Sequence, residues 1–203
     1  MPPFTVLHVC MGNICRSPMA ERLLAVALRE RLARREVDPA RADELLHSHS
    51  AGTGGWHAGE GMNPPAARQV TTRGGGVDGF AARKLRSDHI DAADLVLTAT
   101  ADQQEYVVAL RPDAASRTFV LGEFGRLLAG VDAAGLPPAG ATPDAVYARG
   151  VALVAAAHAA RQGTTALPTD DLDDPWGRGD QCFSRVADEI EETVHPLAQA
   201  LLP

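Results

Sequence analysis

The segment from Phe4 to Glu21 reads FTVLHVCMGNICRSPMAE, and it decides the fold of the chain. Its first residues, Phe4 to Val9, form a short apolar run that predicts a buried strand. Ser17 and Pro18 are typical of a helix start, because a hydroxyl can cap the first turn and proline tolerates an early helical position. Apolar residues then recur at helical spacing from Met19 to Leu32. The segment therefore predicts a strand, a tight loop and a helix.

The same alternation continues along the rest of the chain. Further strands are predicted at 45–51, 94–98 and 117–121, and further helices at 65–73, 101–110 and 182–202. Strands that alternate with helices indicate an α/β fold, in which a parallel sheet carries helices on both faces. Ligands of such sheets bind at the carboxyl ends of the strands, so the loop after the first strand is the candidate site.

Residues 129–168 differ from the rest in composition. Fourteen of these forty residues are alanine, and proline and glycine interrupt the first half. A helix is predicted from a Thr142 cap to about Arg161. We interpret the segment as an insertion within a single domain that spans residues 1–203, because it is too short and too small-sided to form its own core. We expect the core to fold without residues 130–168.

Composition excludes several classes of protein. Twenty-six acidic and nineteen basic residues give a net charge of −7, which argues against a nucleic-acid partner. No apolar run is long enough to predict a membrane span, and the N-terminus lacks the basic start of a signal peptide. Three cysteines are too few for a disulfide scaffold, so free thiols and a cytoplasmic location are expected.

Cys10 and Arg16 flank a loop with the spacing C-x5-R. A phosphate-sized dianion held there would meet successive backbone N–H groups and the positive end of a helix dipole. The same field favours a thiolate at Cys10, and Arg16 offers a planar, two-pronged donor to phosphoryl oxygens. The alternative is that Cys10 is an inert buried cysteine. Gly12 and Asn13 within the loop, and the helix start that follows it, argue against this alternative.

Residues 9–21 resemble the active-site loop of the low-molecular-weight protein tyrosine phosphatases. The similarity extends to residues 50–57, 94–97 and 174–177, and it covers the chain from 5 to about 128 and from 172 to the end. The resemblance implies a four-stranded parallel sheet in a Rossmann-like three-layer sandwich, with a phosphate-binding loop after the first strand. It also implies metal-free hydrolysis of phosphomonoesters, with no cofactor.

The resemblance further implies roles for individual residues. Cys10 is the nucleophile, Arg16 and the loop amides hold the phosphoryl oxygens, and Asp174 is the general acid. Pro175 keeps the residue before it extended, which can direct Asp174 into a cleft; the order Asp-Pro-aromatic favours Asp174 over Asp173. The remaining residues of the phosphate-binding loop are Met11, Gly12, Asn13, Ile14, Cys15 and Ser17.

Other residues resemble the supporting shell and the pocket of that family. Asn13 would hold the turn of the loop, and Ser17 would donate a hydrogen bond to the Cys10 thiolate, with Ser50 in support. For both serines, simple capping or strand-end hydrogen bonding is an equal alternative. Ile14, Trp56 and Trp176 would form the walls around an aromatic substrate, although Trp176 could instead only pack the loop that carries the acid.

Two cysteines in one tight loop suggest a redox role. A Cys15 thiol could condense with an oxidised Cys10 and so protect it, or Cys15 could simply pack beneath the loop.

Three positions depart from the family pattern: Phe80 replaces a frequent histidine, Thr100 an acidic residue, and Gly177 a second aromatic residue. These departures bear on rate and substrate preference.

The sequence thus predicts a phosphotyrosine protein phosphatase that acts through a phosphocysteine. Arsenate reduction would need further cysteines after the third strand, and residues 97–102 contain none. Protein-arginine phosphatases tend to carry a small polar residue where this chain has Ile14. A silent phosphate-binding module is disfavoured by the intact set of Cys10, Arg16 and Asp174.

Overall fold

The computed structural model describes residues 1–203 and contains one four-stranded sheet. The strands are β1 (Phe4–Cys10), β2 (Leu46–Gly52), β3 (Leu95–Thr98) and β4 (Thr118–Val120), in the order β2-β1-β3-β4, and each neighbouring pair is parallel. The helices are α1 (Arg16–Arg34), α2 (Ala42–Leu45), α3 (Pro64–Thr72), α4 (Ser87–Asp91), α5 (Ala101–Leu110), α6 (Leu121–Leu128), α7 (Pro143–Arg161) and α8 (Asp180–Leu201). None of these helices is long and apolar enough to cross a membrane.

The central strand β1 explains why there are two apolar layers. Phe4 and Val6 point into the larger core, whereas Leu7 and Val9 point into a smaller one on the other face. This alternation follows from the period of two in a strand, and burial on both faces explains the nearly continuous apolar sequence. The predicted α/β fold with a four-stranded parallel sheet is confirmed.

Three helices were not predicted from the sequence: the short helices α2 and α4, and α6, which follows a strand directly. The fourth strand ends at Val120, and α6 begins at once at Leu121. The buried residues Leu121, Phe124 and Leu128 lie three and four positions apart, which is a helical pattern. The β-rich residues before Leu121 concealed this pattern, because the apolar run continues from the strand into the helix.

The expectation that residues 130–168 contribute little to the core is wrong. Within α7, Val146, Leu153 and Ala157 are fully buried. Gly150 lies so close to Phe4 that an added Cβ would be 2.5 Å from the ring. The small residues of α7 therefore serve close packing against β1, and they do not indicate a dispensable segment.

Helix α7 lies across the amino ends of the strands. It contacts Phe4, the first residue of β1, and its Tyr147 hydroxyl donates to Asp94 just before β3, over 3.2 Å. Its Arg161 donates to the carbonyl of Thr118, the first residue of β4. The loop between β1 and α1 lies at the opposite, carboxyl end of the sheet. The candidate site and α7 thus occupy opposite ends of the same strands.

Candidate active site

The loop of residues 11–15 connects the end of β1 to the start of α1. The segment after β2 engages two carbonyls of this loop and the one just before it: Thr53 N donates to Cys10 O, Gly54 N to Met11 O and Asn63 N to Ile14 O, each over 2.9 Å. By contrast, no backbone N–H group from residue 11 to 15 donates to a carbonyl or side chain of the protein. The loop therefore presents unpaired donors beside a helix N-terminus, which suits an anion.

Asn13 holds the turn of this loop. Its φ of 57° is left-handed, a region that asparagine tolerates better than most residues. Its Nδ2 donates to Ser17 Oγ and Ser50 Oγ, both at 2.9 Å, and its Oδ1 accepts from Arg83 N at 2.9 Å. Gly52 allows β2 to approach, since a Cβ there would lie 2.7 Å from Met11 O. The loop is thus fixed from α1, from the end of β2 and from Arg83.

Cys10 is buried, and its Sγ lies 2.9 Å from Ser17 Oγ. Ser17 is the second residue of α1, whose N-cap position is Cys15, so the predicted capping role of Ser17 is wrong. Because Ser17 Oγ already accepts from Asn13 Nδ2, its own O–H is free to donate to the Cys10 sulfur.

The sequence did not point to Glu21, which continues this network. Ser50 Oγ donates to Glu21 Oε2 over 2.5 Å, so a chain of hydrogen bonds runs from Glu21 through Ser50, Asn13 and Ser17 to Cys10. Burial raises the pKa of the Glu21 carboxyl, and its hydrogen bond with Ser50 and the nearby Arg22 only partly oppose this effect. The spacing of Ser17 and Glu21, four residues apart on one helix face, was the available signal.

Arg83 was also missed, and its contacts explain why. Its backbone N–H supports Asn13, and its Nε donates to Ser50 O over 2.9 Å. One of these contacts uses the backbone and the other ends on a backbone carbonyl, so no pattern of side-chain types announces them.

Arg16 lies buried between the loop and the segment that carries Asp174. Its Nη1 donates to Leu172 O over 3.0 Å, and its Nη2 is 3.7 Å from Asp174 Oδ2. Its Nε is buried with no hydrogen-bond partner in the protein. Buried polar atoms are normally paired, so this nitrogen is a further donor available to a bound anion.

The structure places Asp174, and not Asp173, at the cleft. Asp174 is half exposed, and its Oδ1 accepts from Trp176 N over 3.2 Å. Asp173 instead pairs with Arg185 at 2.6 Å and with Arg178 at 3.5 Å. The Arg185 guanidinium holds the pKa of Asp173 below its usual range. Asp173 is therefore held as a surface ion pair.

A cleft of about 200 Å³ joins these elements. Trp56 and Trp176 stand at its rim with 72% and 63% of their surface exposed, and Ile14 lies buried in its wall. His57 also lines the cleft, which the sequence did not predict, and its Nδ1 lies 2.8 Å from Glu60 Oε2. The complete lining consists of Cys10, Met11, Gly12, Ile14, Cys15, Arg16, Trp56, His57, Asp174 and Trp176.

The positions that depart from the family pattern have their own partners. Phe80 packs against the core, and the Arg22 guanidinium carbon lies 5.9 Å from its ring centroid. Thr100 is the N-cap residue of α5, and its N–H donates to Gln103 Oε1 over 3.0 Å. Cys15 is buried beside Cys10, and burial raises the pKa of its thiol to about 12. No group of three or more His, Cys, Asp or Glu side chains is arranged to hold a metal ion.

Comparison with known proteins identifies this arrangement. The model of the low molecular weight phosphotyrosine protein phosphatase family matches residues 5–134. The chain belongs to this family. The low molecular weight protein-tyrosine-phosphatase of Streptomyces coelicolor is 35% identical over 131 residues, which is 64% of this chain and 74% of that protein. The predicted family and activity class, a protein tyrosine phosphatase, are thereby confirmed.

Two further matches bear on fold and on substrate. A protein-arginine-phosphatase of Geobacillus stearothermophilus is 31% identical over 123 residues, covering 60% of the phosphatase described here and 72% of the relative. The crystal structure of the tyrosine phosphatase Wzb from Escherichia coli K30, in complex with sulphate, covers 96% of each chain with a TM-score of 0.61 and 20% identity. This last likeness shows the fold alone.

Proposed function

We propose that the phosphatase removes phosphate from phosphotyrosine in proteins through a phosphocysteine on Cys10. The observation that carries this proposal is the loop of residues 11–15, whose backbone N–H groups donate to no group of the protein, while Met11 O, Ile14 O and Cys15 O are engaged. Together with the buried Arg16, these donors surround the space next to Cys10 Sγ. Such a cradle suits three equatorial phosphoryl oxygens and stabilises the charge that develops on them.

The first step transfers the phosphoryl group to sulfur. The Cys10 thiolate attacks phosphorus, the bond from phosphorus to the tyrosine oxygen breaks, and Asp174 gives its proton to that oxygen. In the second step, Asp174 takes a proton from water, the water oxygen attacks phosphorus, and the bond from phosphorus to sulfur breaks. Inorganic phosphate leaves and the thiolate is restored.

The contacts of Cys10 and Asp174 support both roles. The Ser17 hydroxyl lies 2.9 Å from Cys10 Sγ, where it can donate a hydrogen bond that holds the sulfur beside the loop. Arg16 Nη2 lies 3.7 Å from Asp174 Oδ2, so the guanidinium that would hold the phosphoryl group and the carboxyl that would protonate the leaving oxygen lie side by side at the cleft.

The walls of the cleft favour an aromatic substrate. Ile14, Trp56 and Trp176 present apolar surface and ring faces, which suit the ring of phosphotyrosine. Ile14 offers no hydrogen-bond partner to a phosphorylated guanidinium group. All three cysteines are free thiols, which supports the proposed cytoplasmic location.

The test compares a phosphotyrosine peptide, a phosphoarginine peptide of the same sequence, and p-nitrophenyl phosphate, each with and without EDTA. We expect hydrolysis of the two aryl phosphates, much slower release from phosphoarginine, and no effect of EDTA. Cys10→Ser should abolish turnover and still bind phosphate, because the cradle is backbone and Arg16. Faster hydrolysis of phosphoarginine would replace the proposed substrate, and loss of activity with EDTA that a divalent metal restores would overturn the mechanism.

A further inference from the structure

A second cavity, of about 390 Å³, lies between α6, α7 and α8. It shares no lining residue with the cleft of the active site. Its walls are mainly apolar, with Leu128 from α6, Leu153 from α7 and Leu136 from the connecting loop. A cavity of this size and lining can hold a small apolar molecule.

One cation lies in this apolar wall. Arg149 lines the cavity and is only 5% exposed. Its Nε donates to Ala200 O over 2.5 Å, and its Nη1 donates to Pro137 O over 2.6 Å. Arg149 forms no ion pair, and its Nη2, which donates to no group of the protein, is not a fully buried atom and is therefore accessible from the cavity. The guanidinium is thus half satisfied by neutral carbonyls, with one nitrogen left over.

Another arginine of the same helix has its charge balanced by a carboxylate. Arg161 also comes from α7, but its Nε lies 2.9 Å from the buried carboxylate of Glu123. The partners of Arg149 are neutral carbonyls, and the partial negative charge of the α8 C-terminus at Ala200 balances only part of the guanidinium charge. The open edge of this guanidinium therefore suits an anion.

We propose that this cavity binds a medium-chain fatty acid, with its carboxylate on Arg149 and its tail along the leucines. A carboxylate matches the free edge of a guanidinium and forms charge-assisted hydrogen bonds with it. Glu192 lies exposed at the rim of the cavity and disfavours a head group of higher negative charge. A singly charged head on an apolar tail therefore satisfies both the cation and the walls.

The experiment is isothermal titration calorimetry of the full chain with decanoate below its micelle concentration. Decylamine, which has a similar tail and the opposite charge, and acetate, which has the head alone, serve as matched ligands. We expect one decanoate site and no comparable binding of the other two. Arg149→Met should weaken decanoate binding by about tenfold or more, since a charge-assisted contact is lost. Arg34→Met removes an exposed, unpaired arginine and should change nothing.

Two further variants keep the test decisive if Arg149→Met fails to fold. Ala133 is exposed at the cavity, so Ala133→Trp should block the site without touching the guanidinium. Glu192→Gln removes the rim carboxylate and should tighten binding. Equal binding of decanoate and decylamine, or unchanged binding to Ala133→Trp, would overturn the proposal. Tighter binding of a peptide with an apolar C-terminal residue would replace the fatty acid by a protein tail.

Discussion

The loop after β1 and helix α7 contact opposite ends of the same strands, yet the sequence indicated the contacts of the loop much better than those of α7. In the loop, Ser17 contacts both Cys10 and Asn13, and all three residues lie within a stretch of eight, so one short motif contains the whole set. In α7, the decisive contact is the close approach of Gly150 to Phe4, which lies 146 positions away in the sequence. This approach is possible because glycine has no side chain. Contacts between residues that are close in the sequence can be predicted from it, whereas close packing between distant segments cannot.

The largest effect that separates the two regions is catalytic. Asp174→Ala should slow hydrolysis of aryl phosphates by about 10²–10⁴-fold, the usual contribution of a positioned general acid. The melting temperature should hardly change, because Asp174 is half exposed. Steady-state kinetics of Asp174→Ala and of the matched variant Asp173→Ala provide the measurement. If Asp173→Ala loses the activity and Asp174→Ala keeps it, the assignment of the acid is wrong.

The corresponding change in α7 should affect stability and leave catalysis intact. Gly150→Val adds a side chain where even a Cβ would lie 2.5 Å from the Phe4 ring, so we expect a loss of about 1–3 kcal/mol or more from overpacking. Ala148→Val places the same residue on the exposed face of α7 and should cost far less. Urea unfolding of both variants measures the difference, and equal stability would show that α7 is not packed as described.

The features that could be predicted from the sequence are those that depend on residues close together along the chain. The sequence predicted the strand at 4–9 and the loop proposed to bind an anion from residues that are neighbours along the chain. It favoured Asp174 over Asp173 because a proline follows Asp174. Glu21 and Arg83 escaped because they act on the loop through Ser50 and Asn13, and Arg83 does so partly through its backbone. The role of α7 escaped because small residues suggest a flexible segment until their partners are known.

A smaller effect is expected from Glu21, which lies in α1 and is linked to the loop through Ser50 and Asn13. Its pKa is raised by burial above the ordinary 4.5, so the folded protein retains a proton that the unfolded chain has lost as pH rises. Stability from this group is therefore full below about pH 4.5 and is lost as pH rises through the folded pKa. Glu21→Gln cannot titrate and should lack this loss.

Urea unfolding of wild type and Glu21→Gln between about pH 4 and pH 8 tests the point. As pH increases, the unfolding free energy of Glu21→Gln should rise relative to that of wild type. Parallel curves for the two proteins would mean that Glu21 is not held protonated by the fold.

The smallest effect concerns Cys15, which changes nothing unless the enzyme is oxidised. Peroxide should convert Cys10 to a sulfenic acid, with which the Cys15 thiol can condense to a disulfide and water. The pKa of about 12 slows this reaction, because little thiolate is present at Cys15. After dithiothreitol, wild type should regain more activity than Cys15→Ser. Equal recovery would leave Cys15 with a packing role only.

The central claim is that the phosphoryl group passes through Cys10, and chemical trapping tests it most directly. Wild type mixed with p-nitrophenyl phosphate and quenched in denaturant during turnover should carry one phosphoryl group, which peptide mapping by mass spectrometry assigns to Cys10 and not to Cys15. An enzyme that turns over substrate with Cys10 unmodified, or with the phosphoryl group on another residue, would contradict the mechanism.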